Sequence, residues 1–497
     1  MKVLIFHGYL LRGTGSNIYN ASLARALVRE GHEVHLLCQE RHTEGLDFVD
    51  GERCSVHVPN IGGVLPVYVA DRYDGFEAIR FSDLSDEQLD AYLEANVAAV
   101  REVAERHHPE VALANHLVMG PVILARALEG RVPYAIKVHG SALEYTVRPN
   151  PQRFLPYALE GLADASGVLV GSRHTAESLW EVTADPDLPA RTRLGPPGVD
   201  VHAFRPRPLE EARLRLEELA QRLETGEAAS WGGESGAADA LRSVDPGRDR
   251  IVSYVGKLIV SKGIDLLVAA WPCVVERIPE ARLLIVGFGT YRDALERMVG
   301  ALAAGDLEDL RRVAAAGREL EGGPAGRLRF LRDFLDRQGP DYVAAGRRAA
   351  ERIHFTGRLE HDDLASVLPA CEAQVMPSTF PEAFGMVAAE AAACGTLPLS
   401  AAHSGMAEVT AVLAPALDEE LRPLLSFTVG PRAVDEIAAK LATWLSLEDG
   451  IRNRAAAALA ERAAAHFGWE SVARGVLSAG LGRLDDLPAP TDNVSAP

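Results

Sequence analysis

The opening of the chain alternates a short apolar strand, a helix and a second, mostly apolar strand, and this restricts the folds open to it. Val3–Phe6 is wholly apolar, a helix is predicted from about Ser16 to Glu30, and Val34–Cys38 is the next strand. Gly31 is the expected C′ residue of that helix. Because a strand–helix–strand unit makes its strands parallel, helices must cover the sheet, and ligands are expected at the carboxyl ends of the strands.

The same alternation recurs in two blocks of the chain. In the first block, further strands are predicted at Val111–Ala114, Tyr134–Val138 and Val168–Val170. In the second block, strands are predicted at Ile251–Val255, Leu283–Val286, Ile353–Thr356, Ala373–Met376 and Thr396–Leu399. Proline-rich sequence between residues 195 and 208 separates the blocks. We therefore predict an α/β protein with two doubly wound domains, residues 1–197 and 198–465.

Three stretches exceed this repeated pattern. Residues 209–250 begin acidic and helical and become rich in Gly, Ala and Ser, whereas residues 300–350 are helical and rich in Ala and Arg. We interpret both as insertions in the second domain, most simply as solvated decoration, with a ligand cover or an oligomer contact as the alternatives. Residues 485–497 contain Pro-Ala-Pro and Asp-Asn and are expected to be disordered.

Composition excludes several classes of function. The 497 residues include 51 Lys and Arg against 70 Asp and Glu, a net charge of −19, which argues against nonspecific binding to nucleic acid or anionic membranes. The five cysteines are scattered without metal-ligand spacing, which is typical of a reducing compartment. Met1 leads directly into a strand, and no apolar run reaches transmembrane length. We expect a cytoplasmic protein without a signal peptide.

The stretch from Ser378 to Glu390 carries the strongest chemical signal. It follows a predicted strand, begins as a polar turn and continues as a helix predicted from about Phe384 to Cys394. Backbone amide groups at a helix start favour an anion. Those at this start belong to Phe384, Gly385, Met386 and Val387.

Two carboxylates accompany this helix start. Glu382 lies in the turn, and Glu390 lies about two turns further along, in a small-residue segment that indicates burial. A buried Glu needs a partner, and carboxylates bind hydroxyl groups, whereas the amide groups at the helix start favour a phosphate. The two carboxylates and the helix start together therefore fit a phosphorylated polyhydroxyl ligand. The alternative is an ordinary capped helix, in which Glu382 interacts favourably with the helix dipole and Glu390 lies on a solvated face.

Two lysines follow the first strand of the second domain, in Gly256-Lys257-x4-Lys262-Gly263. Two cations beyond the carboxyl end of a strand can converge on a diphosphate and offset its charge as it departs. Loop lysines are more often simply solvated, but the position at the strand end favours a functional role.

Polar and glycine residues also follow strands of the first domain. Gly13 and Gly15 precede the first helix, where they allow a phosphate to approach the backbone or simply reverse the chain. A dinucleotide-binding fingerprint would need a third glycine at position 18, which is Ile18 in this chain. Glu40, however, follows the second strand, where that fingerprint has an acid that binds the ribose. His139 also follows a strand of this domain. Four further residues occupy similar strand ends and are candidates for binding a second substrate: Asn115, His116, Ser172 and Arg173.

The segment from Pro381 to Gly395 resembles the Glu-x7-Glu signature of the retaining, GT-B-fold glycosyltransferases of family 4. The pattern Pro-Glu-x-Phe-Gly-Met-x3-Glu-Ala-x3-Gly is present with its spacing intact. Residues 198–204 resemble the segment between the two domains of that family, and residues 466–484 resemble its closing helix. The resemblance extends over nearly the whole chain and implies two Rossmann-like domains that face each other across a cleft.

The resemblance implies a retaining, metal-independent transferase of the hexosyltransferase type (EC 2.4). The second domain would hold a nucleotide-sugar donor, by default a UDP- or GDP-sugar, and the first would hold a small-molecule, glycan or lipid-linked acceptor. No further cofactor is implied, and a homo-oligomer is possible. Asp185-Pro186-Asp187 matches the metal-binding Asp-x-Asp of glycosyltransferases of another fold, but no apolar strand precedes it, so we predict a loop.

The resemblance also implies individual roles. Glu390 would hydrogen-bond the ribose, Glu382 the hydroxyl groups of the donor sugar, and the two lysines the leaving diphosphate. Lys257 stands where the family usually has Arg, which removes a planar, bidentate donor. His139 matches a sugar-binding histidine of the family, although a lone histidine is more often structural. Arg358 follows a strand and is expected near the nucleobase.

Other functions share parts of this pattern. A phosphorylase or a nucleotide-sugar epimerase of the same fold would release sugar phosphate or invert the free donor. An NAD-dependent oxidoreductase would use the first domain, against which the missing third glycine argues. A non-catalytic protein that binds nucleotide sugars would not need Glu382 or Lys262.

Overall fold

The computed structural model describes residues 1–12, 15–68, 76–225, 236–382 and 384–490. Their contacts divide the chain into two compact units. The first unit comprises Met1–Gly198 and the segment that begins at Phe467, and the second comprises Val199–His466. Each unit is built on one large parallel sheet.

The first unit contains a seven-stranded parallel sheet in the order β3-β2-β1-β6-β7-β8-β9, and β4 pairs with β5 separately. The strands are β1 (Lys2–Phe6), β2 (Glu33–Leu37), β3 (Cys54–His57), β4 (Val64–Val67), β5 (Glu77–Arg80), β6 (Val111–Asn115), β7 (Tyr134–Val138), β8 (Gly167–Val170) and β9 (Thr192–Leu194). The strand order reverses between β1 and β6, and ligands of such sheets bind at this reversal, beyond the carboxyl ends of the strands.

Helices cover both faces of this sheet. They are α1 (Gly15–Arg29), α2 (Asp86–His107), α3 (Gly120–Leu128), α4 (Pro151–Ala163), α5 (Arg173–Thr183), α6 (Leu188–Arg191) and, from the end of the chain, α19 (Trp469–Gly480). Along β1, Leu4 and Phe6 enter the core beneath α2, α3 and α4, whereas Val3 and Ile5 enter the core shared with α1 and α19. Because successive side chains point to opposite faces, a strand buried on both sides must be wholly apolar.

The second unit contains a six-stranded parallel sheet in the order β12-β11-β10-β13-β14-β15. The strands are β10 (Arg250–Val255), β11 (Ala281–Val286), β12 (Ile353–Gly357), β13 (Ala373–Met376), β14 (Leu397–Ala401) and β15 (Ser426–Phe427). Here the order reverses between β10 and β13, whose pairing places Val252 opposite Ala373 and Ser253 opposite Gln374. The loops that follow these two strands therefore begin side by side.

The helices of the second unit include those of both enlarged stretches. They are α7 (Leu209–Thr225), α8 (Ala237–Arg242), α9 (Ile264–Arg277), α10 (Arg292–Ala304), α11 (Leu307–Ala316), α12 (Arg329–Leu335), α13 (Pro340–Ala350), α14 (His361–Val367), α15 (Met386–Ala393), α16 (Ser404–Leu413), α17 (Ala433–Leu445) and α18 (Asp449–Phe467). None of the helices in the described part of the chain combines the length and the apolar character that crossing a bilayer requires.

The predicted α/β class with two doubly wound sheets is confirmed, and each of the ten predicted strands is present to within two residues at its ends. The strands that the sequence did not predict are β3, β4, β5, β9 and β15. Most of these lie at a sheet edge or in the small pair, are short, and carry polar or half-exposed residues, so their apolar signal is weak. The predicted end of α1 is confirmed, since Gly31 has a φ of 86° and the His32 amide bonds to the Leu27 carbonyl.

Two expectations were wrong in part. The helix expected from Phe384 begins at Met386, because Gly385 adopts a non-helical conformation before it. Residues 485–490 are ordered rather than disordered: Leu487 packs against the core under α19, and the carbonyl of Pro488 accepts a hydrogen bond from the Leu194 amide. The rest of that tail, residues 491–497, lies outside the described residues.

Candidate active site

The loop after β10 is pressed against the loop after β13. Lys262 ends a short 3-10 turn, Val260–Lys262, and Gly263 follows with a φ of 64° before α9 begins. A Cβ atom on Gly263 would lie 2.0 Å from the carbonyl oxygen of Pro377. Only glycine therefore permits this approach. The Thr379 amide completes the contact by donating to the carbonyl of Ser261, at 2.9 Å.

This approach brings Lys262 and Glu382 together. The Lys262 ammonium donates to Oε1 of Glu382 in a short ion pair, and the Ser378 hydroxyl donates to the same oxygen at 2.8 Å. The side chains of Lys262 and Glu382 are 31% and 21% exposed, so both heads remain open to a ligand. Lys262, which can bind phosphate, and Glu382, which can bind hydroxyl groups, are thus in contact where the strand order reverses.

The start of α16 fixes the backbone on either side of Glu382. The Glu382 amide donates to the Ser404 hydroxyl at 2.9 Å, and the Gly405 amide donates to the Glu382 carbonyl at 3.0 Å. His403 contacts the carbonyl of Ser378 through Nε2 at 2.9 Å. Glu382 is therefore held at both its amide and its carbonyl.

The N-terminus of α15 follows this loop directly. Gly385 precedes the helix, and its carbonyl accepts from the amides of Ala388 and Ala389 at 3.0 and 3.1 Å. Met386 and Val387 form the first turn, where amide groups point along the helix axis toward the preceding loop. The predicted order of carboxylate, glycine and helix start is thus present, with the helix two residues shorter at this end.

Glu390 is buried, and His361 is its partner. Nε2 of His361 lies 2.7 Å from Oε1 of Glu390, which is only 2% exposed. Burial disfavours the imidazolium of His361, but the charge of Glu390 and its hydrogen bond outweigh this and raise the pKa of His361. The ring of Phe204 lies 5.2 Å from that of His361. The sequence predicted the need for a partner but did not identify it, because His361 begins a different helix.

Phe288 is an exposed residue beyond the carboxyl ends of the strands of the second sheet, and the sequence analysis did not single it out. It follows β11 in Gly-Phe-Gly, its side chain is 41% exposed, and the Arg358 guanidinium lies over its ring at 5.2 Å. Its carbonyl accepts a hydrogen bond from the Leu258 amide at 2.8 Å, which connects it to the loop after β10, residues 256–263, here called the lysine loop. Lys257 is exposed, and its carbonyl accepts from the Tyr254 hydroxyl at 2.8 Å. Lys257 and Arg358 thus occupy the loops after β10 and β12 at this edge.

Glu321 braces the lysine loop from within the enlarged stretch 300–350. It ends a 3-10 turn, Arg318–Glu321, and its Oε2 accepts from the Val260 amide at 2.8 Å. Its side chain is 8% exposed and pairs with Arg318 at 3.0 Å. Burial raises the pKa of the neighbouring Asp265 to about 7, and the charge of Glu321 adds to the rise. This part of the stretch is therefore built into the site edge and is not simply solvated decoration.

In the first unit, five polar side chains form one chain of hydrogen bonds at the strand-order reversal. His7 Nε2 meets Asn17 Oδ1 at 2.9 Å, and Asn20 Nδ2 meets His7 Nδ1 at 3.0 Å. Asn115 then donates to Oδ1 of Asn20 at 2.7 Å and contacts Nε2 of His139 through its own oxygen at 2.8 Å. The sequence singled out Asn115 and His139 but missed the other three. The signal available was their position, since His7 directly follows β1 and the two Asn residues lie one turn apart on α1.

The surroundings of His139 and His116 disfavour the positively charged form of both rings. Burial lowers the pKa of His139 well below its usual range, and the nearby His116 and Lys137 add to the effect. Burial lowers the pKa of His116 in the same way, and the neighbouring His7 adds to the effect. The His116 ring is 2% exposed and lies 4.5 Å from the ring of Tyr68 and 4.8 Å from that of His139. These rings offer neutral donors and acceptors rather than positive charge.

The other predicted residues have mixed positions. Ser172 caps α5 by accepting from the Thr175 amide at 3.2 Å, and Arg173 pairs with Glu177 on the helix surface. Gly15 is the first residue of α1, whereas Gly13 lies outside the described residues.

Two acidic features of the sequence also have visible partners. Asp185-Pro186-Asp187 forms the turn between α5 and α6, as predicted, and Asp185 pairs with Arg191 at 3.6 Å. Glu40 is buried and accepts from the amides of Leu11 and His42, both at 3.2 Å. It therefore holds the loop after β1.

Two family models match this chain, one in each half. The model described as "Glycosyl transferase 4-like domain" matches residues 14–187, and the model described as "Glycosyl transferases group 1" matches residues 337–464. The second match includes Glu382 and Glu390.

Similar proteins cover almost the whole chain. The D-inositol 3-phosphate glycosyltransferase of Frankia alni is 26% identical over 476 residues, which cover 93% of each chain. The protein of the same name from Actinosynnema mirum is 26% identical and covers 94% of this chain and 91% of its own.

Solved structures share the fold at lower identity. Sucrose-phosphate synthase from Thermosynechococcus elongatus aligns over 98% of both chains with a TM-score of 0.53 and 20% identity. Anabaena HepE in complex with UDP-glucose aligns over 97% of this chain and 100% of its own, with a TM-score of 0.56 and 18% identity. The chain belongs to the GT-B-fold glycosyltransferases, with a 4-like domain in its first half and a group 1 domain in its second.

Proposed function

We propose that this glycosyltransferase moves a sugar from a nucleotide-sugar donor to a polyhydroxyl acceptor with retention of anomeric configuration. The observation that carries the proposal is the contact between Lys262 and Glu382, made by the loops that follow the two central strands of the second sheet. A positive head and a carboxylate at one point suit a ligand in which a diphosphate adjoins a sugar.

The second unit is proposed to hold the donor. A diphosphate would compete with Glu382 for the ammonium of Lys262 and would meet the amide groups at the start of α15. Glu382, released from Lys262, would accept hydrogen bonds from hydroxyl groups of the sugar. Glu390 would bind the ribose, with its carboxylate held in place by His361. Arg358 and Phe288 would offer a cation and a ring face to the nucleobase.

Bond cleavage is proposed to depend on charge stabilisation rather than on a protein nucleophile. As the bond between the sugar and the diphosphate breaks, negative charge collects on the leaving oxygen, where Lys262, Lys257 and the helix amides would stabilise it. That oxygen would then take the proton of the acceptor hydroxyl, which attacks from the same face. Cations in these positions would supply the charge that a metal ion would otherwise supply, so we propose that no metal is required.

The first unit is proposed to hold the acceptor. Its polar chain of His7, Asn17, Asn20, Asn115 and His139 offers neutral hydrogen-bonding groups at the edge where ligands of such sheets bind. Neutral donors and acceptors suit hydroxyl groups. Because the curated relatives are named D-inositol 3-phosphate glycosyltransferases, we propose a phosphorylated cyclitol as the first acceptor to test.

A two-stage experiment tests this function. Thermal shifts are first measured with UDP, GDP, ADP and their sugars, and at least one nucleoside diphosphate is expected to raise the melting temperature. Transfer from the stabilising donor to inositol phosphates and to unphosphorylated inositol is then measured, and NMR of the product identifies its anomeric configuration. Failure of every nucleotide to bind would refute the proposal, and an inverted product would refute its stereochemistry.

Variants connect the activity to the site. Lys262→Ala removes one charge-assisted contact to the diphosphate, which is worth about 1.5–3 kcal/mol, and is expected to lower turnover about 10- to 100-fold. Lys2→Ala is the matched control, since Lys2 is a half-exposed lysine of the first unit that pairs only weakly with Glu33, at 3.7 Å. Equal activity of the two variants would contradict the assignment. Release of sugar phosphate or epimerisation of the free donor would identify another reaction of the same fold.

A further inference from the structure

We infer that the first unit contains a transition-metal site formed by His35, His57 and His107, separate from the proposed glycosyl-transfer site. One ring nitrogen from each residue lies within 4.8 Å of the other two. Imidazole is a preferred ligand of Zn²⁺ and its neighbours in the first transition row, and three histidines with one open position form a known type of zinc site. We assign the site to Zn²⁺, with water as the fourth ligand.

The distance between the first two ligands fits a tetrahedral ion. Nδ1 of His35 lies 3.3 Å from Nε2 of His57. Two nitrogens bound to one zinc ion at about 2.0–2.1 Å with tetrahedral angles are separated by about 3.4 Å. The ring centroid of His107 lies 4.0 Å from that of His35 and 5.4 Å from that of His57. His107 occupies the last turn of α2 and is partly exposed, and its side chain would turn toward the other two to complete the set.

A carboxylate already orients the buried ligand. Nε2 of His35 lies 3.1 Å from Oε1 of Glu33, which leaves Nδ1 of the same ring directed at His57. Metal-binding histidines characteristically donate their second ring N–H to a carboxylate, because this fixes the tautomer and makes the ligand nitrogen more basic. His35 is 2% exposed, so its orientation is also fixed by packing. This carboxylate–imidazole pair is independent of the clustering of the three rings.

The three ligands come from separate elements. His35 lies in β2, His57 ends β3, and His107 ends α2 just before β6 begins at Val111. The proposed acceptor residues lie on α1 and at the carboxyl ends of β1, β6 and β7, and none of them belongs to this cluster. An ion held here would join the edge strand β3 and α2 to the sheet. Its effect would be on the stability of the unit, and His57 and His107 are exposed enough to admit it.

The test uses the full-length protein stripped of metal with a chelator. Calorimetric titration with Zn²⁺ is expected to show one site per chain, and bound Zn²⁺ is expected to raise the melting temperature by about 2–4 °C or more. Titration with Co²⁺ is expected to give the intense visible bands of a tetrahedral ion without a thiolate charge-transfer band. A thiolate band would show that a cysteine binds the ion and would overturn the assignment.

The variants His57→Gln and His107→Gln are each expected to abolish the one-site binding, and Glu33→Gln to weaken it about 10- to 100-fold. His108→Asn is the matched control, because His108 adjoins the site, is exposed and does not belong to the cluster. It is expected to bind Zn²⁺ like the unmodified chain. Binding that survives both glutamine substitutions, or loss in the His108 variant alone, would overturn the inference. The readouts are metal affinity and melting temperature, so they do not depend on transfer activity.

Discussion

Replacing Glu382 with Gln separates the two tasks proposed for the candidate active site. The substitution keeps the size of the side chain and its ability to accept a hydrogen bond from Ser378, but removes the negative charge that holds Lys262. A diphosphate would then meet a cation that is already free. We therefore expect Glu382→Gln to bind nucleoside diphosphate more tightly while it transfers sugar more slowly.

The magnitude follows from the exposure of the pair. Fully exposed ion pairs contribute about 0.2–1 kcal/mol, and hydrogen bonds to charged groups about 1.5–3 kcal/mol. Since Lys262 and Glu382 are 31% and 21% exposed, the pair lies between these limits. About 1 kcal/mol corresponds to an affinity for nucleoside diphosphate that is about 5-fold tighter. Loss of a charged contact to the sugar hydroxyl groups should lower turnover about 10- to 100-fold.

Isothermal titration with the nucleoside diphosphate that gives the largest thermal shift measures the first effect, and single-turnover transfer measures the second. A double-mutant cycle with Lys262→Ala isolates the coupling between the two side chains. Weaker diphosphate binding by Glu382→Gln would contradict the prediction, because the carboxylate would then not restrain the lysine. Unchanged turnover would show that Glu382 makes no important contact with the sugar.

Three further predictions concern the supports of the site. Gly263→Ala should lower the melting temperature more than Gly130→Ala, since both positions have positive φ but only the first Cβ meets backbone; equal losses would contradict the close approach. The raised pKa of His361 adds stability that is complete below pH about 6.5 and is lost as the pH rises through the higher folded value. His361→Gln should therefore flatten the decrease in unfolding free energy above that pH, as measured by urea denaturation. Glu321→Ala should raise the KM for the donor several-fold with a smaller change in kcat, whereas the exposed neighbour Glu319→Ala should not.

Much of the fold could be predicted because its signals are local. Short apolar runs separated by helical periodicity identify parallel strands, and the run Val3–Phe6 is wholly apolar because both of its faces are covered. The loop glycines, the lysines after β10 and the spacing of Glu382 and Glu390 likewise occupy continuous stretches of sequence. Edge strands such as β9 and β15 gave no such signal, because two or three half-buried residues carry little periodicity.

The supporting residues could not be predicted in the same way, because they are brought together over long separations. Glu321 is 61 residues from Val260, whose amide donates a hydrogen bond to it, and Asn115 is 95 residues from Asn20. His361 is 29 residues from Glu390 and begins another helix. Nothing in the local sequence of an acidic or imidazole side chain indicates which distant group it will meet.

The parallel α/β class, the places where loops follow strands, and the carboxylate and lysine positions follow from the sequence alone, since each depends on residues close together in the chain. Folding was needed to show that Lys262 pairs with Glu382 across 120 residues and that three histidines from two strands and a helix converge. Strand order and helix packing, rather than chain order, determine which side chains come together in space.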